Sequence, residues 1–264
     1  MISPKFKYLF RKKIKYLILF FLRDFLIINY LKNRKFPLHN SRFLISITVE
    51  NLNENPNLIS KYHEIFKNDF QKVFWNSKIG INWHNNIELS SLKNEYYNLI
   101  SNHLSLTEFK TILDVGCGFG LLTYRLSNKY PECSFLGIDI SKNSIKNAKI
   151  KYSNVNLEYS QKTLKDVSKK FDLIICLNTI DYVDPNSIKE FINRMFILSN
   201  QIIIITSLRG LSYNEFLNLK DSVKITRYDI GYIHPIYKML ISLHVDFKIK
   251  KCGFDSILIT ISKI

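Results

Sequence analysis

The sequence is poor in glycine, cysteine and acidic residues, and each shortage excludes a class of protein. Eight glycines and six prolines among 264 residues are too few for a fibrous protein. The four cysteines form no C-x-x-C pair and lie at no zinc-finger spacing from a histidine, which predicts free thiols in a reducing compartment and no metal site. Because 46% of the residues are apolar and only 23% are charged, the chain is also too hydrophobic for intrinsic disorder.

The shortage of acidic residues is confined to one part of the chain. There are 38 Lys and Arg against 22 Asp and Glu, a net charge of +16. Residues 1–49 hold eleven of these bases and a single acid, Asp24, so this segment alone carries +10. The excess is therefore mostly an N-terminal property, and it is weak evidence for a nucleic-acid partner.

The N-terminal segment joins basic residues to an apolar run that is interrupted by polar ones. Residues 5–15 are basic and aromatic, whereas residues 16–31 are mostly apolar but contain Arg23, Asp24 and Asn29. A spanning helix needs about 20 mostly apolar residues, and a central Arg or Asp each costs about 2.5–3.5 kcal/mol, which argues against a simple span. Two interpretations remain: residues 1–35 lie on an anionic membrane surface, or they pack on the protein itself or on a partner. Apolar residues around most of the helix favour the membrane surface.

Composition divides the chain into three parts. Residues 1–58 form the basic, partly apolar extension, which ends in a turn-rich stretch. Residues 59–104 contain two helical patterns and are predicted to form a helical lid or cap. Residues 105–264 alternate strand and helix patterns, which predicts a parallel sheet of the α/β class. One of the helical patterns in this part covers residues 162–170.

Three of the eight glycines fall within five residues. Gly116, Gly118 and Gly120 follow an apolar strand pattern at 111–115 and precede a helical pattern at 121–129. Strand, glycine turn and helix form the first unit of a doubly wound sheet, which binds its ligand at the carboxyl ends of the strands. The second strand pattern ends in Asp139, where a carboxylate can accept hydrogen bonds from both hydroxyls of an adenosine ribose.

The spacing of the glycines separates this motif from other nucleotide sites. A dinucleotide motif G-x-G-x-x-G would need glycine where Leu121 stands, and the Gly-Lys-Ser/Thr ending of a P-loop is absent. The pattern D-x-G-x-G-x-G that begins at Asp114 resembles motif I of the class I S-adenosylmethionine-dependent methyltransferases. The resemblance extends through Asp139, the loop 178–185 and two strand patterns on either side of Gly253, and it covers about residues 105–264.

The resemblance implies a Rossmann-like, seven-stranded, mostly parallel sheet with an antiparallel C-terminal strand. It also implies S-adenosyl-L-methionine as the cofactor. The glycines would let the backbone approach the cofactor, and Asp114 would orient their turn or engage the cofactor's amino group. Asp139 would hold the ribose diol, Ile140 would pack on the adenine, and Asn178 would face the methionine end and the reacting methyl group.

The resemblance also directs attention to residues around these positions. Family members often carry an acid after the third strand that contacts the adenine amine, and here Thr163 or Gln161 is the candidate substitute. Trp75, Trp83 and His84 precede the domain, where many relatives place a lid over the cofactor. Since a hydroxyl acceptor must lose a proton, Asp181 and His234 are the candidate catalytic bases.

The loop after the fourth strand pattern indicates the class of acceptor. It reads Asn178-Thr-Ile-Asp181 and lacks both the N/D-P-P-Y/F motif of nucleic-acid amino methyltransferases and the Pro-Cys of RNA cytosine enzymes. A small-molecule, glycan or lipid-like acceptor methylated on oxygen is therefore expected, in a cytoplasmic protein that is peripheral on the inner face of the membrane if residues 1–35 bind there. The alternatives are C-methylation of a quinone-like ring and a non-catalytic cofactor-binding protein that docks at a membrane or a partner.

Overall fold

The computed structural model describes residues 70–76, 80–81, 91–103, 109–208, 211–224, 231–252 and 255–262. The predicted extension of residues 1–58 lies outside the described residues, as do Trp83 and His84. None of the helices in the described ranges is long and apolar enough to cross a bilayer.

The described residues form nine strands, seven of which make one sheet in the order β3-β2-β1-β4-β5-β9-β8. Their bounds, in chain order, are β1 (Thr111–Val115), β2 (Ser134–Asp139), β3 (Leu157–Gln161), β4 (Leu173–Leu177), β5 (Gln201–Ser207), β6 (Val223–Lys224), β7 (Tyr232–Ile233), β8 (Asp246–Cys252) and β9 (Ser256–Ser262). Strands β1 to β5 pair in parallel, and β9 pairs antiparallel with both β5 and β8. The seven-stranded sheet with its antiparallel C-terminal strand, predicted from the sequence, is confirmed.

Seven helices are described with the sheet. Their bounds are α1 (Phe70–Trp75), α2 (Ser91–His103), α3 (Leu121–Lys129), α4 (Lys142–Lys151), α5 (Ile188–Leu198), α6 (Tyr213–Asn218) and α7 (Ile236–Ser242). Two short 3₁₀ turns, Leu164–Asp166 and Ile180–Tyr182, follow β3 and β4.

The central strands are apolar on both faces, which is why the sheet lies between two layers of helices. In β4, Ile174 and Cys176 face one core cluster, while Leu173 and Ile175 face the other. Helix α5 packs on the first face, and α2 and α3 pack on the second. Alternation with a period of two residues therefore divides one continuous apolar run between two cores, as expected for a buried parallel strand.

The helix predicted over residues 162–170 is wrong, because the chain makes only the 3₁₀ turn Leu164–Asp166 there. The Asp166 carboxylate accepts hydrogen bonds from the backbone N–H and the hydroxyl of Thr163, at 2.8 and 2.7 Å. Val167 then adopts extended backbone, with φ −88° and ψ 121°. The Asp166 side chain satisfies the hydrogen-bond donors of Thr163 at the start of the turn. Leu164 and Val167 are buried without a longer helix.

The strand order places a crevice at one edge of the sheet. Strands β1 and β4 are neighbours, and the chain continues from β1 to β2 on one side and from β4 to β5 on the other. At such a switch point the loops after neighbouring strands separate, and a ligand can enter between them. The carboxyl ends of β1 and β2 and the loops that follow β1, β2 and β4 carry the cofactor residues predicted from the sequence.

Candidate active site

The glycine turn after β1 adopts a conformation that favours glycine. Gly116, Gly118 and Gly120 have φ of +72°, +57° and +86°. The N–H groups of Gly116 and Cys117 both donate to the carbonyl of Ile138 in β2, at 2.8 and 3.0 Å. A Cβ on Gly116 would lie 2.0 Å from Oγ1 of Thr179, so a side chain is excluded there by contact as well as by conformation.

Asp114 lies in β1 immediately before this turn. Its side chain is 2% exposed and its Oδ2 accepts a hydrogen bond from the hydroxyl of Thr123 in α3, at 2.6 Å. A buried carboxylate needs such donors to stay charged. The contact therefore fixes the carboxylate between the strand and the helix that flank the turn.

Asp139 ends β2 and faces the same turn. Its Oδ2 accepts the N–H of Gly118 at 3.0 Å, and its Oδ1 accepts the N–H of Ser141 at 2.8 Å. Burial raises the pKa of Asp139 to about 6, and the two backbone hydrogen bonds oppose that rise. The carboxylate is ionised at neutral pH and remains able to accept further hydrogen bonds.

Asn178 follows β4 in a left-handed conformation, with φ of +51°. Its backbone N–H donates to the carbonyl of Ile205 in β5 at 2.7 Å, which holds the residue at the end of the strand. Its side-chain Oδ1 is buried and has no hydrogen-bond partner among the described residues. An unpaired buried acceptor costs about 1–3 kcal/mol, so a donor from a ligand would stabilise this arrangement.

One cavity of about 580 Å³ unites these residues, a size typical of small-molecule sites. Six of the seven predicted cofactor residues line it: Asp114, Gly116, Gly118, Asp139, Ile140 and Asn178. The seventh, Gly120, does not line the cavity, because it lies at the start of α3 as its N-cap.

Helix α1 supplies a further wall through Gln71 and Trp75. The Trp75 ring packs edge to face on the Tyr182 ring, with centroids 4.9 Å apart. The backbone carbonyl of Trp75 accepts a hydrogen bond from the hydroxyl of Ser141 at 3.0 Å. Asn76 accepts the backbone N–H of Asn143 at 3.2 Å. The helix is thus tied to the start of α4, next to Asp139.

Known proteins match this chain in part of its sequence. Residues 112–199, a third of the chain, match the family model described as Methyltransferase domain. An uncharacterized protein of Methanocaldococcus jannaschii is 32% identical over 183 residues, which is 61% of this chain and 48% of that protein. The ubiquinone biosynthesis O-methyltransferase of Pseudomonas syringae pv. tomato is 31% identical over 104 residues, 37% of this chain and 44% of that protein. The chain thus spans about half the length of these curated relatives.

Solved structures match the fold. The magnesium protoporphyrin IX methyltransferase of Synechocystis, crystallised with bound SAH, superposes with a TM-score of 0.58 at 15% identity and covers 73% of this chain and 98% of that one. The plantazolicin methyltransferase in complex with SAH gives 0.53 at 15% identity, over 84% of this chain and all of that one. The chain therefore has the fold of these methyltransferases, and residues 112–199 match a methyltransferase domain in sequence.

The loop after β3 borders the same cavity. Thr163, one of the two predicted substitutes for the family's acid, lines the cavity, although its hydroxyl already donates to Asp166. Gln161, the other, does not line it, and its side-chain amide donates to the carbonyl of Ile140 at 3.2 Å. Lys165 pairs with Glu190 of α5 at 2.9 Å and joins the loop to that helix.

The two candidate bases predicted from the sequence lie behind the cavity wall. Asp181 is 1% exposed, accepts the hydroxyl of Thr206, and lies 3.4 Å from the N–H of Ser207. His234 is also 1% exposed, and its Nδ1 lies 2.8 Å from the hydroxyl of Ser222. Burial lowers the pKa of His234 to about 4, against the nearby carbonyls of Val183 and Ile180 and the charge of Asp184. Neither residue lines the cavity.

Helix α5 and its N-cap residue line the cavity with residues that belong to no recognised motif. They are Ser187, Glu190, Phe191 and Arg194. Their spacing follows one face of the helix, and Ile188, Ile192 and Met195 beside it are buried in the core cluster. A mostly polar stripe, interrupted by Phe191, beside an apolar one is the sequence signal that could have found them.

Proposed function

We propose that this chain binds S-adenosylmethionine in the 580 Å³ cavity and transfers its methyl group to a small-molecule acceptor. The observation that carries the proposal is the convergence of three features on one cavity: the glycine turn, the ionised Asp139 carboxylate and the buried Asn178 Oδ1, which has no partner in the part of the chain that the structure describes. The glycine turn suits close approach of a ligand to backbone, and the two polar side chains suit the donors of an adenosyl cofactor.

Each predicted residue has a defined part in this proposal. Asp139 accepts the ribose hydroxyls, Ile140 packs on the adenine, and Asn178 faces the methionine end. Asp114 orients the turn through its hydrogen bond with Thr123. The bound cofactor would supply an electrophilic methyl group, and the chain's task is to align the acceptor with it and to exclude water.

We propose an oxygen atom of a small-molecule, glycan or lipid-linked compound as the acceptor. The lining residues Trp75, Leu177, Tyr182 and Ser207 form an aromatic, apolar or neutral part of the wall. Because the three bases that also line the cavity are matched by three acids, this part of the wall favours an uncharged acceptor over a phosphate-rich one. Relatives that match in part include O-methyltransferases of ubiquinone biosynthesis and of malonyl-[acyl-carrier protein]. C-methylation of a quinone-like ring is the second candidate, supported by the same aromatic wall.

The burial of Asp181 and His234 favours a positioning role for them over the base role predicted from the sequence. Asp181 belongs to the turn Ile180–Tyr182 and joins it to Thr206 of β5, while His234 lies near the carbonyls of Ile180 and Val183. Thr179 and Tyr182 of the same segment line the cavity. To remove a proton from an acceptor, either side chain would need that segment to move. Their role as bases stays a prediction.

The N-terminal residues supply a proposal that rests on the sequence alone. Residues 1–35, basic and rich in apolar and aromatic side chains, would hold the protein at an anionic membrane surface on the cytoplasmic side. Such a position would bring the cavity close to lipid-like acceptors.

The test of the proposed function is cofactor binding by calorimetry, followed by turnover. Asp139→Ala should weaken S-adenosylmethionine binding by a factor of ten to several hundred, because charge-assisted hydrogen bonds contribute about 1.5–3 kcal/mol each. The control is Glu158→Ala, which removes an exposed acid from β3 and should leave the affinity unchanged. Near-normal affinity in Asp139→Ala would contradict the assignment of the ribose site.

Turnover is measured by mass spectrometry of polar and lipid metabolites incubated with the protein and S-adenosylmethionine. A product heavier by one methylene group identifies the acceptor. Cofactor binding without conversion to S-adenosylhomocysteine in any extract would favour the non-catalytic alternative.

A further inference from the structure

The ring of Tyr159 in β3 is buried beneath the glycine turn. The residue is 3% exposed and does not line the cavity. A Cβ on Gly120 would lie 2.4 Å from the Tyr159 hydroxyl oxygen, and a Cβ on Gly137 would lie 2.7 Å from its Cδ1. The ring therefore packs against the backbone of two glycines, one in the turn and one in β2.

The hydroxyl of Tyr159 also bonds to the turn. It donates to the carbonyl oxygen of Gly120 at 2.8 Å. The same oxygen accepts the backbone N–H of Tyr124 at 2.9 Å, which is the first hydrogen bond of α3. Burial raises the pKa of the Tyr159 hydroxyl, so it remains protonated and acts as the donor. The Gly120 carbonyl is thereby fixed from two directions.

This anchor matters because the rest of the turn has few side chains to hold it. Glycine loses more conformational entropy on ordering than any other residue, and three glycines occur here within five positions. The start of the turn is held by the Ile138 carbonyl, and its middle by Asp139. The contacts of Tyr159 hold its end. A turn that is ordered before the ligand arrives has less entropy to lose on binding.

We propose that Tyr159 is a positioning residue that orders the glycine turn for cofactor binding, acting through the carbonyl of Gly120 without touching the cofactor. The inference rests on the proposed function and extends it to a residue of β3 that does not line the cavity. It attributes part of the affinity for the cofactor to the hydroxyl group of Tyr159, as distinct from its ring.

The experiment compares the full-length wild type with Tyr159→Phe, which differs by one oxygen atom. Calorimetry with S-adenosylmethionine and with S-adenosylhomocysteine should show binding weakened about threefold to tenfold, the effect of one hydrogen bond, with a less favourable entropy. Amide hydrogen exchange at residues 116–120 of the ligand-free protein should be faster than in the wild type. Turnover at saturating cofactor should be unchanged, because the cofactor restores the turn when bound.

The matched control is Tyr124→Phe, a tyrosine in α3 whose ring packs on Tyr152 at 5.2 Å. It should change neither affinity nor exchange in the turn. A lower melting temperature of Tyr159→Phe with wild-type affinity and wild-type exchange would show a merely structural role and overturn the inference. If the wild type itself binds neither ligand, the proposed function fails and this inference with it; if the wild type binds and the variant binds equally, only this inference fails.

Discussion

Asp139 combines burial with two backbone donors, and its protonation state should govern cofactor affinity. Its pKa is raised to about 6, so the carboxylate takes up a proton just below neutral pH. A protonated carboxyl loses capacity as an acceptor of ribose hydroxyls, and binding must then expel the proton. We expect the affinity for S-adenosylmethionine to fall by up to about tenfold per pH unit below about pH 6, measured by calorimetry between about pH 5 and pH 7.

Two checks separate this effect from unfolding. The folded pKa lies above the ordinary value of 3.8, so the contribution of Asp139 to stability is fully present below pH 3.8 and is lost as the pH rises through about 6. Acid therefore does not destabilise the free protein through this group, and the melting temperature serves as the control. Asp139→Ala should bind weakly with no such pH dependence. Equal slopes in variant and wild type would mean that another group titrates.

At the scale of elements, the features that the sequence predicted lie within short stretches of the chain. The features that it missed combine distant parts of the chain. The turn from Asp114 to Gly120, the acid at the end of β2 and the two C-terminal strands carry their signals within a few consecutive residues, and all of these elements form as predicted. The walls from α1 and α5 come from distant parts of the chain, and only packing brings them to the cavity.

The wrongly predicted helix and the burial of the two candidate bases each have a local physical cause. The helical pattern at 162–170 contained the apolar spacing of a helix, but the Asp166 carboxylate ended it after one turn. Likewise, position in a loop after a strand suggested that Asp181 and His234 face a substrate. Sequence alone gave no indication that hydroxyls of Thr206 and Ser222 bind these side chains within the protein.

His234 directly follows β7, which contacts the turn Ile180–Tyr182, and this contact gives a prediction for its role. His234→Asn should lower turnover by less than tenfold and leave the shape of its pH profile unchanged, because the ring positions the segment after β4. Loss of a general base would instead reduce turnover by about 10²–10⁴-fold. Steady-state kinetics over pH distinguishes the two results, and Ser222→Ala, which removes the partner of Nδ1, should reproduce the small effect.

The stability of the same variant provides a second measurement. Since the folded pKa of about 4 lies below the ordinary 6.5, the unfolded chain binds the proton first, and His234 lowers stability as the pH falls from about 6.5 towards 4. As the pH falls, the melting temperature of the wild type should therefore decrease more than that of His234→Asn. A difference that is constant with pH would contradict the burial of a neutral ring.

At the scale of the whole molecule, charge and chemistry occupy different parts of the chain. The segment 1–49 carries +10, whereas residues 50–264 carry +6 and contain the cavity. The cavity combines three acids with three bases, one pair of which, Lys165 and Glu190, is in direct contact. The excess charge of the protein therefore has no evident use in binding the cofactor, which leaves an anionic surface as its proposed partner.

This separation predicts that membrane binding and cofactor binding change independently. In the full-length protein, replacement of Lys12, Lys13 and Lys15 by Gln should weaken the affinity for vesicles of mixed phosphatidylserine and phosphatidylcholine by roughly 100-fold at low salt, measured by sedimentation. The reason is that each lysine near the surface contributes about 1 kcal/mol. The affinity for S-adenosylmethionine should stay the same. The matched control neutralises three exposed lysines of α4, namely Lys142, Lys146 and Lys149. If the control loses as much vesicle binding as the N-terminal variant, attraction is a property of total charge, and the N-terminal segment is not the membrane-binding element.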